Sequence, residues 1–138
     1  MDHERVTATE FDQLDGVDDW RVILGMIIAE FRLGSFPDGA ALVERIAAAA
    51  EAIQHHPDVH LTYPGVVRVE LSTHAVGGLT RHDVELARAV SALAAEAGAE
   101  SHPAEVWSLE IALDTMDADR IRPFWQALLD YRAVEGGA

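Results

Sequence analysis

Pro57 constrains the fold of this chain more than any other single residue. It follows an apolar stripe in which Val43, Ile46, Ala47, Ala50 and Ile53 recur at helical spacing, with Glu44, Arg45 and Glu51 off the stripe. Proline disfavours helical geometry in the residue before it, so the helix must end at or just before His55-His56. At the other end, Ser35 with Asp38 three positions later forms a capping-box pattern. Pro37 falls in the first turn, where its missing N–H costs little. The spacing predicts one long helix beginning near Ser35, with two imidazoles at the corner where it gives way to a strand.

The segments around that helix carry the period of strands. From Met26 to Leu33, Ile27, Ala29, Phe31 and Leu33 alternate with Ile28, Glu30 and Arg32, and Gly34 ends the run. Val59 to Tyr63 and Val66 to Thr73 read as two strands joined at the turn-forming Pro64-Gly65. In the second of these, Val67, Val69, Leu71 and Thr73 share a face, and His74 continues the polar set of Arg68, Glu70 and Ser72. Thr80 with Asp83 is a second capping box. It opens a helix whose stripe is Val84, Leu86, Ala87, Val90, Leu93, Ala94 and Ala97, ending near Gly98. A short helix is also expected through Thr9 to Leu14. The order strand, helix, strand, strand, helix suits an α+β fold, an antiparallel β-sheet with two long helices packed on one face.

Bulk properties exclude several function classes. The 138 residues suit one ordinary domain, and a chain of this size buries roughly 68% of the surface it exposes when unfolded. With no cysteine, thiolate chemistry is closed and a metal would need imidazole and carboxylate ligands. The 24 acidic against 10 basic residues give a formal charge of −14, which repels phosphate backbones and anionic lipid and disfavours direct nucleic-acid binding. Met1-Asp2-His3-Glu4 lacks the basic, apolar, small-residue succession of a signal peptide, and no apolar run reaches membrane-spanning length. The expectation is a cytoplasmic protein with no membrane partner.

Groups able to move protons near neutral pH collect at the turn-bounded positions His55, His56 and His74, with Asp83 downstream. Each has a plain structural reading as well. A histidine pair ending a helix interacts favourably with the dipole, and Thr80-x-x-Asp83 is a sufficient cap without catalysis. Glu51, one turn before His55, is placed to orient that ring or to be an ordinary solvated charge. Tyr63 could stack on a flat substrate or simply pack in the sheet. His56 and His60 have the i, i+4 spacing of helical zinc ligands, but Pro57 breaks the helix that this spacing assumes, so no metal is expected.

The series Glu51, His55-His56-Pro57, Tyr63, Thr73-His74 and Asp83, flanked by Trp20-Arg21-Val22, Phe31, Phe36 and Leu86-Ala87, resembles the pterin-4a-carbinolamine dehydratase family over roughly residues 10 to 100. That resemblance implies the same α+β fold. It also implies a hydro-lyase, a 4a-hydroxytetrahydrobiopterin dehydratase of tetrahydropterin recycling, converting the carbinolamine to quinonoid dihydropterin without cofactor or metal. His55, His56 and His74 would share the acid/base work, Asp83 would orient or polarise one of them, and Glu51, Pro57 and Tyr63 would meet the substrate. The family's dimers and larger assemblies imply a homo-oligomer, and its protein complexes leave open a noncatalytic binding or regulatory role on the same scaffold.

Beyond a linker at Ser101-His102-Pro103, Trp107, Leu109, Ile111 and Leu113 alternate as a strand. Ile121, Phe124, Trp125, Leu128 and Leu129 fit one helix face, with Pro123 close to its first turn. Leu109 to Asp114 and Phe124 to Tyr131 resemble the opening strand and helix of a glyoxalase-like, vicinal-oxygen-chelate module. The expected organisation is a dehydratase-like domain over 1–100 and a partial strand-helix unit over 101–138. Such a unit cannot bury both its apolar faces alone.

Overall fold

A computed structural model describes residues 4–109 and 114–130. The opening Met1-Asp2-His3, residues 110–113 of the expected C-terminal strand, and Tyr131 lie outside the described residues. The chain divides into two compact units, Met1–Ser108 and Leu109–Ala138.

The first unit is built on a five-stranded antiparallel sheet. A hairpin of β2 (Arg21–Ile23) and β3 (Met26–Arg32) turns through Leu24 and Gly25, both at positive φ as a two-residue hairpin turn requires. After helix α2 (Phe36–Ile53), β4 (Asp58–Thr62) and β5 (Val66–Leu71) form the second hairpin. The order is β2-β3-β5-β4, and a two-residue β7 (Glu100–Ser101) pairs with the end of β3 that β2 leaves uncovered. Register aligns the apolar set across the sheet. Ile27 faces Leu71, Ala29 faces Val69 and Phe31 faces Val67, while Val59 and Leu61 continue the rows on β4.

That face is covered by α2 and by α3 (Arg81–Glu96), and the residues of all three layers form one core. Trp20 seals one side of it, edge-on to Phe31 with ring centroids 6.3 Å apart, its indole N–H donating to the Ser91 hydroxyl at 3.0 Å. Ahead of the sheet, β1 (Arg5–Val6) pairs with β6 (Leu79–Thr80). Between β1 and β2 a four-residue α1 (Ala8–Phe11), capped by Thr7, buries Phe11.

The expected architecture is present, with local differences that have physical causes. Along α2 the buried stripe is Gly39, Leu42, Ile46 and Ala50, while Ala47 is exposed, because burial follows the sheet and α3 rather than the helix's own apolar count. Ser35 accepts the Asp38 N–H, but the Asp38 carboxylate takes the Ser35 hydroxyl at 2.5 Å, so only one half of the expected capping box forms. The short helix is confined to Ala8–Phe11 rather than running from Thr9 to Leu14. Ser101-His102-Pro103, expected as a linker, belongs to the first unit: β7 holds Ser101 to Phe31, and just beyond it Glu105 forms an ion pair with Arg32.

In the second unit α4 (Ala118–Leu129) is capped by Asp117, whose side chain accepts the Arg120 N–H at 3.1 Å. Pro123 sits in the second turn and not the first, so Asp119 C=O lacks its helical donor. Phe124, Leu128 and Leu129 are exposed, and residues 107–109 carry no strand. Among the described residues no helix is long and apolar enough to cross a membrane.

Candidate active site

The helix α2 ends at Ile53, four residues before Pro57. Gln54 adopts a left-handed conformation (φ 53°), its N–H reaches back to the helix, and the His55 N–H bonds Ala50 C=O at 3.1 Å. Wrapping the last turn in this way satisfies carbonyls that would otherwise lack donors, and it turns the chain sharply. The turn sends the two imidazoles in different directions. His55 points inward, its side chain 14% exposed, while the His56 side chain is 60% exposed.

His55 Nε2 lies 2.7 Å from Asp83 Oδ1. Asp83 stands in the first turn of α3 and is completely buried, so each of its lone pairs must find a donor inside the protein. Its Oδ2 accepts the Thr80 N–H at 2.7 Å and the Thr73 hydroxyl at 2.7 Å, and the Thr80 hydroxyl lies 3.2 Å away. The two threonine hydroxyls are themselves 2.9 Å apart. Thr73 is held by a bridge to Gly78, its N–H donating to Gly78 C=O at 2.8 Å. This network joins the end of α2, the loop after β5, and the start of α3.

Glu51 was expected beside His55, but it pairs with His56 instead, Nε2 to Oε2 at 3.0 Å. The left-handed Gln54 breaks the helical register that would have aligned Glu51 with His55. Hydrogen bonds from His56 and then Gln54, together with the charge of His56, hold the Glu51 carboxyl below the usual glutamate range. His74 opens a single 3₁₀ turn, His74–Val76, rather than ending the strand. It is exposed, and the described residues give its side chain no hydrogen-bond partner. It follows directly after Thr73, so the bond that anchors Asp83 also anchors the backbone of His74.

Tyr63 is not brought to this cluster. It sits 87% exposed in the turn beyond Thr62, whereas His55, His56 and Pro57 precede Asp58 at the opposite end of β4. The five residues of β4 separate Pro57 from Tyr63, about 20 Å over six steps of strand rise. His60 is exposed on β4, and among the described residues no three His, Asp or Glu side chains gather as metal ligands.

Two residues of the network were not nominated from the sequence, Thr73 and, in any role beyond capping, Thr80; nor was His82, which packs beside it. The His82 ring is tilted against that of His55 with centroids 6.0 Å apart. The signal for Thr80 was its capping position, which forces the Asp83 carboxylate toward its N–H. Nothing local marks Thr73 as a partner of a residue ten positions away. A cavity of about 510 Å³, lined by residues including Arg5, Glu10, Arg81 and Arg88, opens elsewhere, between the N-terminal segment and another face of α3, and none of the nominated residues lines it.

Comparison with known proteins bears on the same segment. A family model described as "Pterin 4 alpha carbinolamine dehydratase" matches residues 4–93. A Chloroflexus aurantiacus protein named "Putative pterin-4-alpha-carbinolamine dehydratase" is 43% identical over 79 residues, 57% of this chain and 84% of that protein. A Nocardia farcinica protein of the same name is 42% identical over 81 residues, 59% of this chain and 84% of that protein. Among solved structures, a transcriptional coactivator/pterin dehydratase from Brucella melitensis superposes with a TM-score of 0.60 at 29% identity, covering 65% of this chain and 98% of that one. The matched residues 4–93 include the whole histidine, threonine and aspartate network and stop before β7.

Proposed function

Because this chain belongs to the pterin 4 alpha carbinolamine dehydratase family, we propose that it is a cytoplasmic 4a-hydroxytetrahydropterin dehydratase, and that His55, His56, His74 and Asp83 carry the reaction. The observation that supports this reading best is the buried Asp83 carboxylate held against His55 at 2.7 Å, with the exposed His56 and His74 on the adjoining segments. In the reaction the carbon–oxygen bond at C4a breaks and the electron pair leaves with oxygen. An imidazolium donates the proton that makes the leaving group water. A ring-nitrogen lone pair closes the new C=N bond, and a second base takes that nitrogen's proton.

His56 and His74 are exposed and so can meet a dissolved pterin, which fits them for the acid and base roles. His55, tethered through Nε2, retains Nδ1 for proton exchange. Glu51 orients His56, and Pro57 contributes to the substrate edge of the corner. Tyr63 has no part in this site, given its place at the far end of the hairpin. The reading needs neither metal nor cofactor. Self-association is part of it, and light scattering that finds only monomer would overturn that part.

A second reading is a binding or regulatory protein on the same scaffold. The Brucella melitensis relative, named a transcriptional coactivator as well as a pterin dehydratase, favours it, as do the exposed Phe124, Leu128 and Leu129 of α4. Turnover of synthetic 4a-hydroxytetrahydropterin separates the two. Acceleration over buffer that is lost in a His55, His56 and His74 triple alanine variant supports the enzyme; a rate equal to buffer leaves the binding protein.

A further inference from the structure

We infer that Thr73 and Thr80 are positioning residues that, through Asp83, fix the proton of the His55 imidazole on Nε2 and keep Nδ1 as the nitrogen that exchanges protons. The use of this arrangement in catalysis rests on the dehydratase reading above; the proton placement itself does not.

The inference follows from counting donors. A backbone N–H can only donate, so the 2.7 Å contact from Thr80 N assigns one lone pair of Asp83 Oδ2. The Thr73 hydroxyl donates into the same oxygen at 2.7 Å. The Thr80 hydroxyl reaches both partners, 2.9 Å from Thr73 Oγ1 and 3.2 Å from Oδ2, so the two hydroxyls and the carboxylate form one closed cluster in which each bond polarises the next. With Oδ2 saturated, Oδ1 remains as an acceptor facing His55 Nε2 at 2.7 Å. A carboxylate oxygen has no proton to give, so the imidazole must supply it. In the neutral ring that leaves the lone pair on Nδ1.

The threonines matter because of where they are. Both are buried, as is Asp83, so water is excluded from replacing a lost hydroxyl at no cost. Without them the carboxylate would keep, besides the His55 ring, only the Thr80 N–H and could rotate about its last bond, and the ring it holds would rotate with it. Thr73 also precedes His74, so one side chain sets the orientation of His55 while its backbone sets the position of a second imidazole. The His82 ring, 6.0 Å from that of His55, is the other titratable group packed near it and gives no hydrogen bond to either partner among the described residues.

The test is nuclear magnetic resonance on protein labelled with ¹⁵N in histidine and tryptophan, with no substrate present. The parent protein is expected to show His55 as the Nε2–H tautomer with a resolved imidazole N–H that exchanges slowly with water. In Thr73→Val and in the Thr73→Val, Thr80→Val pair, that exchange should accelerate at least roughly tenfold for loss of one charge-assisted bond. Thr73→Ser and Thr80→Ser should restore it. The indole N–H of Trp20, bonded to Ser91, reports general loosening; it should be unchanged relative to the parent. An Nδ1–H tautomer in the parent overturns the inference outright. So does unaltered His55 exchange in the valine variants, or equal acceleration of the Trp20 signal. Should the valine variants not fold, the parent tautomer and the serine variants still decide it. A locked Nε2–H ring in a protein without carbinolamine turnover would sink the enzyme reading and leave the positioning intact.

Discussion

His55 and Asp83, 28 positions apart in the chain, meet through a 2.7 Å contact between Nε2 and Oδ1 that ties the end of α2 to the first turn of α3. The contact joins two helix termini whose local chemistry is independent. A left-handed Gln54 aims the imidazole, and the capping position after Thr80 aims the carboxylate.

Removing the carboxylate should therefore be costly to the fold as well as to function. Asp83→Ala leaves the Thr73 hydroxyl and the Thr80 N–H without their acceptor in a fully buried place, and we expect a loss of about 3 kcal/mol in unfolding free energy. Urea denaturation followed by circular dichroism measures it. A midpoint unchanged from the parent would contradict the buried network.

His56→Ala and His74→Ala should behave in the opposite way. Both side chains are exposed, so stability should move by less than about 0.5 kcal/mol. Carbinolamine dehydration should fall by roughly 10²- to 10⁴-fold in each if it is the acid or the base. Tyr63→Ala, altering an exposed turn at the far end of β4, should leave both quantities as they are. Stopped-flow absorbance on synthetic carbinolamine reads all three variants.

The Glu51 carboxyl should titrate below its ordinary value of 4.5, because it accepts from His56 and Gln54. A carboxyl with a lowered folded pKa stabilises the protein above the unfolded value and loses that contribution as pH falls through the folded one. The window thus lies below pH 4.5. The group is solvent-exposed, so its signature is in the titration itself. Carbon-detected NMR should show the Glu51 midpoint rising toward the usual glutamate range in His56→Ala and rising less in Gln54→Ala.

Gly65 should not tolerate a side chain. A Cβ there would overlap Ser35 O and stand 3.0 Å from Leu33 O, both backbone atoms that cannot move aside singly. Gly65→Ala should cost about 1 to 3 kcal/mol through overpacking. Thermal melting checks it, and a Tm equal to the parent's would show that the β4–β5 turn yields freely.

Much of the fold could be read in advance because its signals are local. The helix over residues 36–53 followed from Ser35, Pro37 and an apolar stripe, and the β4–β5 hairpin from Pro64-Gly65 between alternating segments. The Leu24-Gly25 turn was not legible, since a leucine at positive φ carries none of the usual turn chemistry. β1, β6 and β7, two residues each, are strands only because distant partners lie beside them, so no periodicity could announce them. Ala47 entered the expected stripe and came out exposed, because which side of a helix is buried depends on what packs there.

For the site the division is the same. The order of residues alone determined that two imidazoles stand at a helix end, that Asp83 caps the next helix, and that Pro57 keeps His56 and His60 from sharing one helix, for each depends on dihedral preferences within a few residues. Only the tertiary structure decided that His55 and not His56 meets Asp83, that Glu51 serves His56, that Thr73 joins the network, and that Tyr63 stands apart. Those outcomes depend on the direction in which Gln54 turns the chain and on the pairing of β4 with β5. Such directions arise from packing across the whole sheet, and no stretch of neighbouring residues contains them.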